Sequence, residues 1–235
     1  MEFVDRKREI AAIIKSLKQN RNVVLAGKYG VGRSSLVKQI SGTYSETWHF
    51  LFGDFSKTVA RSCSDMINQL APRDHKAQQH HYTRLMYAKD ILKGKKATAD
   101  LPRVIVLDNI DKLSRPKIAF LRDMRLESDL LFIAITESFL PETDLFRLRA
   151  TLYPADVLTL HNLKRKETVT FFRNFSQRKR LGWSENFIQM LAASTGGYAL
   201  LMQEIAQREA RLALNGKAMS KTGRNLKPSE RESEN

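Results

Sequence analysis

The chain has 235 residues, 42% of them hydrophobic, with 40 lysines and arginines against 25 acidic residues and a net charge of +15. The length suits one α/β core with a small second unit, and the apolar content excludes a globally disordered chain. With no apolar run of about 18 residues and the single cysteine Cys63, the sequence predicts neither a membrane-spanning helix nor an internal disulfide. Because the opening residues lack the apolar segment of a secretory signal, we expect a cytoplasmic protein without membrane contacts.

The first two thirds of the chain alternate between apolar runs and amphipathic segments. Apolar residues between Ile10 and Leu17 recur at helical spacing, so the chain opens with a helix. Between residues 73 and 103 the signal weakens to one amphipathic helix around residues 82–92 and a lysine-rich loop. Elsewhere the patterns predict strands at 22–26, 48–55, 104–107, 130–135 and 157–160, and helices at 34–40, 59–70 and 116–124. This alternation predicts a three-layer α/β fold with a largely parallel sheet.

After residue 161 the pattern becomes all-helical. Helices are predicted at 167–178, 184–194 and 199–214, and the pair Gly196-Gly197 separates the last two. From Gly216 the chain is rich in lysine, serine, glutamate and asparagine, which predicts a disordered basic tail. We therefore divide the chain into a core of residues 1–160, a small helical lid of residues 161–215 and a tail of residues 216–235.

A glycine-rich segment follows the first predicted strand. Residues 27–34 fit the phosphate-loop spacing G-x-x-x-x-G-K-[ST] at every position but one. Glycines let backbone N–H groups turn toward phosphate oxygens, and the start of the following helix adds its dipole. We therefore predict that the loop binds ATP and that the Ser34 hydroxyl binds Mg²⁺. The residues predicted to hold the nucleotide are Gly27, Lys28, Tyr29, Gly30, Val31, Gly32, Arg33, Ser34 and Ser35.

The departure from this pattern is Arg33, which stands where lysine is expected. Lysine is a compact point charge, whereas arginine is a larger planar fork, so Arg33 would bind phosphate in an altered geometry. Lys28 supplies a second cation inside the loop. In that respect the loop also resembles the variant phosphate loop of partition and division-site ATPases, from which Tyr29 and Arg33 depart.

A second motif lies at residues 103–111, an apolar run that ends in acidic residues. An acid at the end of a buried strand beside a phosphate loop can hold the water shell of Mg²⁺, and we assign Asp108 to that role. The motif resembles Walker B, whose next residue in AAA+ proteins is a glutamate that polarises the attacking water. Here that residue is Asn109, which cannot accept a proton. Asp111 is the nearest acid downstream, and slow hydrolysis is expected.

Three further residues are candidates for the catalytic machinery. Thr136 ends a predicted strand at the position of the sensor-1 residue, although a threonine that merely ends a strand remains an alternative. Arg147 and Arg149 precede the last strand, in a segment where this class carries an arginine finger for the neighbouring subunit. Two solvated arginines are the alternative.

The opening segment, residues 3–10, reads F-V-D-R-K-R-E-I and resembles the box that begins AAA+ and STAND-type ATPases of the archaeal-ATPase and origin-recognition groups. The segment Thr195–Tyr198 and the helix after it resemble the lid helix of Mu and TniB-like transposition ATPases. The resemblance implies a P-loop ATPase whose opening box packs against adenine. The arginine that many initiators carry in this lid has no clear equivalent, since Tyr198 and Ala199 lie near its position.

Basic residues cluster at the beginning of the helical region. Residues 164–180 contain seven lysines and arginines and one acid, Glu167. Phe171, Phe172 and Phe175 recur there at helical spacing and are predicted to be core, which leaves the basic side chains for DNA phosphates or for solvent. We expect an ATP switch that forms a homo-oligomer on double-stranded DNA and regulates a protein partner, such as a transposase or helicase, in transposition, replication or recombination. A degenerate nucleotide sensor with protein contacts only, or a partition-type ATPase, are the alternatives.

Overall fold

The computed structural model describes residues 6–70, 101–126 and 130–222, with side chains described as far as residue 213. The amphipathic helix expected around residues 82–92 lies outside these ranges, as do Phe3 and Val4 of the opening box. The described residues divide into two compact units, one ending at His161 and one beginning at Asn162.

The first unit alternates helices and strands, as the apolar patterning predicts. Its elements are α1 (Lys7–Lys18), β1 (Asn22–Gly27), α2 (Arg33–Thr43), β2 (His49–Asp54), α3 (Val59–Leu70), β3 (Arg103–Ile110), α4 (Arg115–Leu126), β4 (Leu131–Glu137), α5 (Glu142–Thr151) and β5 (Ala155–Leu160).

All five strands run parallel in the order β2-β3-β4-β1-β5. Because successive side chains of a strand point to opposite faces, Val24 belongs to the apolar cluster that includes residues of α3, α4 and α5, whereas Leu25 belongs to the cluster that includes residues of α1 and α2. Both side chains are fully buried. These two layers of helices around one sheet confirm the predicted three-layer α/β fold, and the parallel order brings the carboxyl ends of β1, β2, β3 and β4 to one edge.

Helix α5 was not predicted from the sequence. It begins after Pro141 and carries Glu142 and Asp144 in its first turn, where acidic side chains favour the helix dipole. Leu148 is the only one of its ten residues that is fully buried, so the helix leaves almost no apolar periodicity in the sequence.

The second unit consists of α6 (Arg165–Lys179), α7 (Glu185–Thr195) and α8 (Ala199–Thr222). Phe171, Phe172 and Phe175 are at most 9% exposed. Phe172 and Phe175 pack with Trp183, and Phe171 packs with both of these phenylalanines, which confirms that their spacing marks a core. Helix α8 continues to Thr222, past the end predicted at residue 214, and residues 223–235 lie outside the described ranges. Within those ranges, no helix has the length and apolar content needed to cross a bilayer.

Candidate nucleotide-binding site

The glycine-rich segment forms the connection between β1 and α2. Gly30 and Gly32 have positive φ angles of 73° and 99°, a conformation that side chains with a Cβ rarely adopt. Gly27 ends β1, and a Cβ at this position would lie 2.9 Å from the carbonyl oxygen of Leu160. The glycines therefore allow a tight loop that leads directly into the first turn of α2, whose N–H groups have no partner within the helix.

Ser34 and Asp108, the two predicted ligands of Mg²⁺, are in direct contact. The Ser34 hydroxyl donates a hydrogen bond of 2.9 Å to Oδ1 of Asp108, and the backbone N–H of Asn109 donates to the same oxygen at 2.9 Å. A hydroxyl and a carboxylate beside a loop shaped for phosphate are the hard oxygen donors that Mg²⁺ uses together with nucleotide phosphates. The residues present therefore fit a magnesium-nucleotide complex.

The Arg33 side chain is almost fully buried. Its Nη1 donates to the backbone carbonyl of Thr136, and its Nη2 forms an ion pair with the carboxylate of Glu137. The side chains of Arg33 and Glu137 are 8% and 14% exposed. The carboxylate of Glu137 therefore neutralises the charge of Arg33, the residue at the lysine position of the motif.

Two buried oxygens next to Arg33 lack hydrogen-bond partners within the described part of the chain. They are Oγ1 of Thr136 and Oε2 of Glu137. Parallel pairing aligns Thr136 with Ala26 and Glu137 with Gly27, so both residues adjoin the start of the phosphate loop. Thr136 thus lies beside the loop, and its role as the sensor-1 residue stays a prediction. Glu137 was not predicted as a site residue, although it directly follows Thr136.

Asn109 lies in β3, where the pairing with β4 shifts in register, and it has a positive φ of 57°. Its side-chain amide donates a hydrogen bond of 3.2 Å to Oδ1 of Asp54, which ends the neighbouring strand β2. Burial alone would raise the pKa of Asp54, but hydrogen bonds from Ser56 and Asn109 and the charge of Lys57 lower that pKa below its usual value. Asp54 is not recognisable as a site residue from the sequence, because its place at this edge depends on the pairing of β2 with β3.

Asp111 is paired with a buried lysine. Its carboxylate lies 4.0 Å from Nζ of Lys117, which also lies 5.6 Å from the centre of the Phe55 ring. Burial lowers the pKa of Lys117, and the charge of Asp111 opposes that shift. The structure therefore gives Asp111 an ion-pairing role at the beginning of α4.

Arg147 and Arg149 lie on the exposed side of α5. Arg147 is 64% exposed and has one oxygen of Asp144 within 3.5 Å. Neither side chain is held in the core, so both are accessible from outside this unit.

Arg6, the arginine of the opening box, contacts the phosphate loop directly. It is 4% exposed, and its Nη2 donates to the carbonyl oxygens of Val31 at 2.8 Å and His161 at 3.0 Å. The Arg6 side chain therefore links the phosphate loop, through Val31, to His161, the residue that follows β5. The opening box is recognised only by resemblance, which predicts no contact between its arginine and the phosphate loop.

No protein-family model matches the sequence, and no curated protein matches it either. Solved structures do share its fold. Cdc6p from Pyrobaculum aerophilum has a TM-score of 0.66 at 16% identity, over 92% of this chain and 65% of that one. The Orc1 protein from Aeropyrum pernix, solved in complex with DNA, has a TM-score of 0.59 at 14% identity, over 92% and 66%. The RuvB Holliday junction branch migration motor from Thermotoga maritima has a TM-score of 0.55 at 16% identity, over 88% and 62%.

The chain has the fold of the AAA+ P-loop ATPases. It spans less than two thirds of the length of each of these three structures, and at such identities the likeness concerns the fold. The expected resemblance to AAA+ ATPases is confirmed, whereas the likeness of the lid to transposition ATPases stays a prediction.

Proposed function

We propose that this protein is an ATP-binding AAA+ switch that oligomerises on double-stranded DNA and regulates a partner such as a transposase or helicase in transposition, replication or recombination. The contact between Ser34 and Asp108 beside the phosphate loop carries the nucleotide part of this proposal. In this proposal, loop residues 27–35 would hold the phosphates, and Ser34 and Asp108 would hold Mg²⁺. Thr136 would lie beside them at the same edge of the sheet. ATP supplies binding energy and a phosphoanhydride bond, and the helical unit serves as the lid.

The DNA part of the proposal depends on α6. Its apolar side forms the core of the second unit, and all seven basic residues of positions 164–180 have exposed side chains. Each lysine or arginine placed against a phosphate releases condensed counterions, which favours binding to a polyanion. The similar Orc1 structure was solved with DNA, and the similar RuvB protein is described as a branch migration motor.

The oligomer part depends on exposed side chains of the first unit. Arg147 and Arg149 are exposed on α5, which leaves both side chains available to a nucleotide in the next subunit. Phe139 and Phe146, in the loop before α5 and on α5 itself, are 68% and 72% exposed, which is unusual for phenylalanine and favours a protein contact there.

A second candidate function is a nucleotide sensor that hydrolyses little and acts through protein contacts. It is favoured by the ion pair that turns Arg33 toward Glu137 and by the amide at position 109. A partition-type ATPase is a third candidate, supported by the exposed position of Lys28 in the loop. In that case Lys28→Ala would abolish ATP-dependent dimerisation while the monomer stays folded, whereas an AAA+ oligomer would still assemble.

The deciding experiment measures ATP binding and turnover, each with and without double-stranded DNA, for the wild type and for Arg33→Ala. Binding that DNA converts to turnover, with turnover lost in Arg33→Ala, supports the DNA-associated switch. Binding without turnover in any condition supports the sensor. Absence of nucleotide binding in the wild type would contradict all three candidates.

A further inference from the structure

Hydrolysis of ATP needs a group that orients the attacking water and accepts its proton, and Asn109 cannot accept one. If the proposed ATPase function holds, on which this inference rests, a carboxylate elsewhere at the same edge has to take that role. Among the described residues, three carboxylates beyond Asp108 lie at or just after the carboxyl ends of β2, β3 and β4: Asp54, Asp111 and Glu137.

Two of these carboxylates are engaged with buried cations. Glu137 forms an ion pair with Arg33, and both side chains are largely excluded from solvent. Asp111 lies within 4.0 Å of the buried amine of Lys117 and follows the end of β3. Asp54 differs in that its neighbouring cation, Lys57, is 42% exposed and pairs more closely with Asp65. The Asp54 side chain is 31% exposed at the edge where the candidate magnesium ligands lie.

The pairing of strands fixes Asp54 beside the second motif. In the register of β2 and β3, Asp54 aligns with Asp108, and the backbone N–H of Phe55 donates to the carbonyl oxygen of Asp108 at 2.7 Å. Asn109 turns its amide back across this pair of strands and donates 3.2 Å to Oδ1 of Asp54. The residue in the usual acid position thus positions a carboxylate on the adjacent strand.

The two oxygens of Asp54 have different surroundings. Oδ1 accepts three hydrogen bonds, from the Asn109 amide and from the backbone N–H and hydroxyl of Ser56, the latter two at 3.1 and 2.7 Å. Oδ2 lies 3.7 Å from Nζ of Lys57, which is beyond hydrogen-bond distance. One oxygen is therefore anchored, which fixes the orientation of the carboxylate, and the other can accept a hydrogen bond from a water molecule.

We propose that Asp54 is the general base of ATP hydrolysis and that Asn109 is its positioning residue. The water oxygen forms a bond to the γ-phosphorus while its proton passes to Asp54. The bond between the γ-phosphorus and the β–γ bridging oxygen breaks, and its electron pair leaves with ADP. The proton then passes from Asp54 to the released phosphate or to solvent.

The test compares Asp54→Asn with the wild type and with the control Asp65→Asn. Asp65 is a second carboxylate that pairs with Lys57, at 2.8 Å, but it belongs to α3 and not to a strand of the sheet. Three quantities are measured on the full chain with double-stranded DNA: ATP affinity, single-turnover hydrolysis, and the fraction of ATP-dependent oligomer that persists with time in sedimentation.

Asp54→Asn is expected to bind ATP with wild-type affinity, to lose turnover by about 100-fold or more, and to stay assembled with ATP. Asp65→Asn should match the wild type within about twofold. In the double variant Asp54→Asn with Asn109→Asp, the carboxylate returns to the β3 position, and part of the turnover should return with it.

Turnover of Asp54→Asn at the wild-type rate would overturn the proposal, as would loss of ATP binding in that variant, since the role would then lie in binding or folding. If the wild type binds ATP but never hydrolyses it, the proposed ATPase function is itself contradicted, and so is the role of Asp54 as its base.

Discussion

The Ser34 hydroxyl donates a 2.9 Å hydrogen bond to Oδ1 of Asp108, which joins the first turn of α2 to β3. The two residues are 74 positions apart, and β4 separates β1 from β3 in the sheet. They meet because parallel strands end at one edge and the phosphate loop crosses over that edge. The contact marks where Mg²⁺ binds in the proposed switch.

Ser34→Ala is expected to weaken ATP binding in Mg²⁺ by about tenfold or more, because one oxygen ligand of the metal is lost. ATP binding in the presence of a chelator should change little. Titration of a fluorescent ATP analogue, with and without Mg²⁺, measures both. Ser45→Ala, which removes an exposed hydroxyl after α2, is the matched control and should leave both affinities unchanged. Equal affinities of Ser34→Ala and the wild type in Mg²⁺ would contradict the assignment.

Glu137→Gln is expected to lower the free energy of unfolding by about 1–3 kcal/mol, because a buried arginine loses its charged partner. The same change frees Arg33 to interact with phosphate, so ATP affinity should rise. Thermal unfolding and nucleotide titration measure the two effects. Glu142→Gln, an exposed acid on α5, is the control for the loss of one negative charge. A variant with lower stability and unchanged ATP affinity would show that the ion pair has only a structural role.

The α6 surface is expected to contribute directly to the salt dependence of DNA binding. Lys166→Gln with Lys179→Gln removes two exposed charges from this surface, which should reduce the slope of log K against log salt by about 2. Binding to double-stranded DNA over a salt series measures the slope. The control variant, Lys15→Gln with Lys18→Gln, removes the same charge from exposed positions of α1 and should change the salt slope less. Equal effects of the two double variants would indicate a general charge effect without a defined surface.

Asp156 is expected to stabilise the fold at neutral pH and to lose this effect in acid. Hydrogen bonds from Arg21 and then from Ser16 lower the pKa of Asp156, so its contribution is present above the unfolded-state pKa of about 4 and disappears as pH falls through the folded-state pKa. At neutral pH the difference in Tm between the wild type and Asp156→Asn should be small, because the Arg21–Asp156 pair is partly exposed. In acid this difference should vanish. Arg21→Gln should show the same trend. A difference in Tm that does not change with pH would exclude this linkage.

Local sequence pattern predicted the phosphate loop and the strand that ends in Asp108, because both depend on the order of residues along one segment. The sequence assigns Ser34 and Asp108 to one ion because a loop after one buried strand and an acid after another lie at the same edge of a parallel sheet. The contacts of Arg33, Asp54 and Arg6 were not predictable in this way. Each involves a residue whose partner lies on a strand or loop that only the sheet order brings near.

The sequence by itself determined the periodicity of the elements, the three-layer parallel fold, the glycines that the loop requires and the aromatic core of α6. These follow from backbone sterics and from the burial of apolar residues, which act between near neighbours in the chain. The tertiary structure decided which charges neutralise each other. Placing β4 between β1 and β3 aligns Glu137 with Gly27 and so gives Arg33 a carboxylate, while the pairing of β2 with β3 sets Asp54 against Asn109. Those partners are fixed by strand register, a long-range property that no single segment encodes.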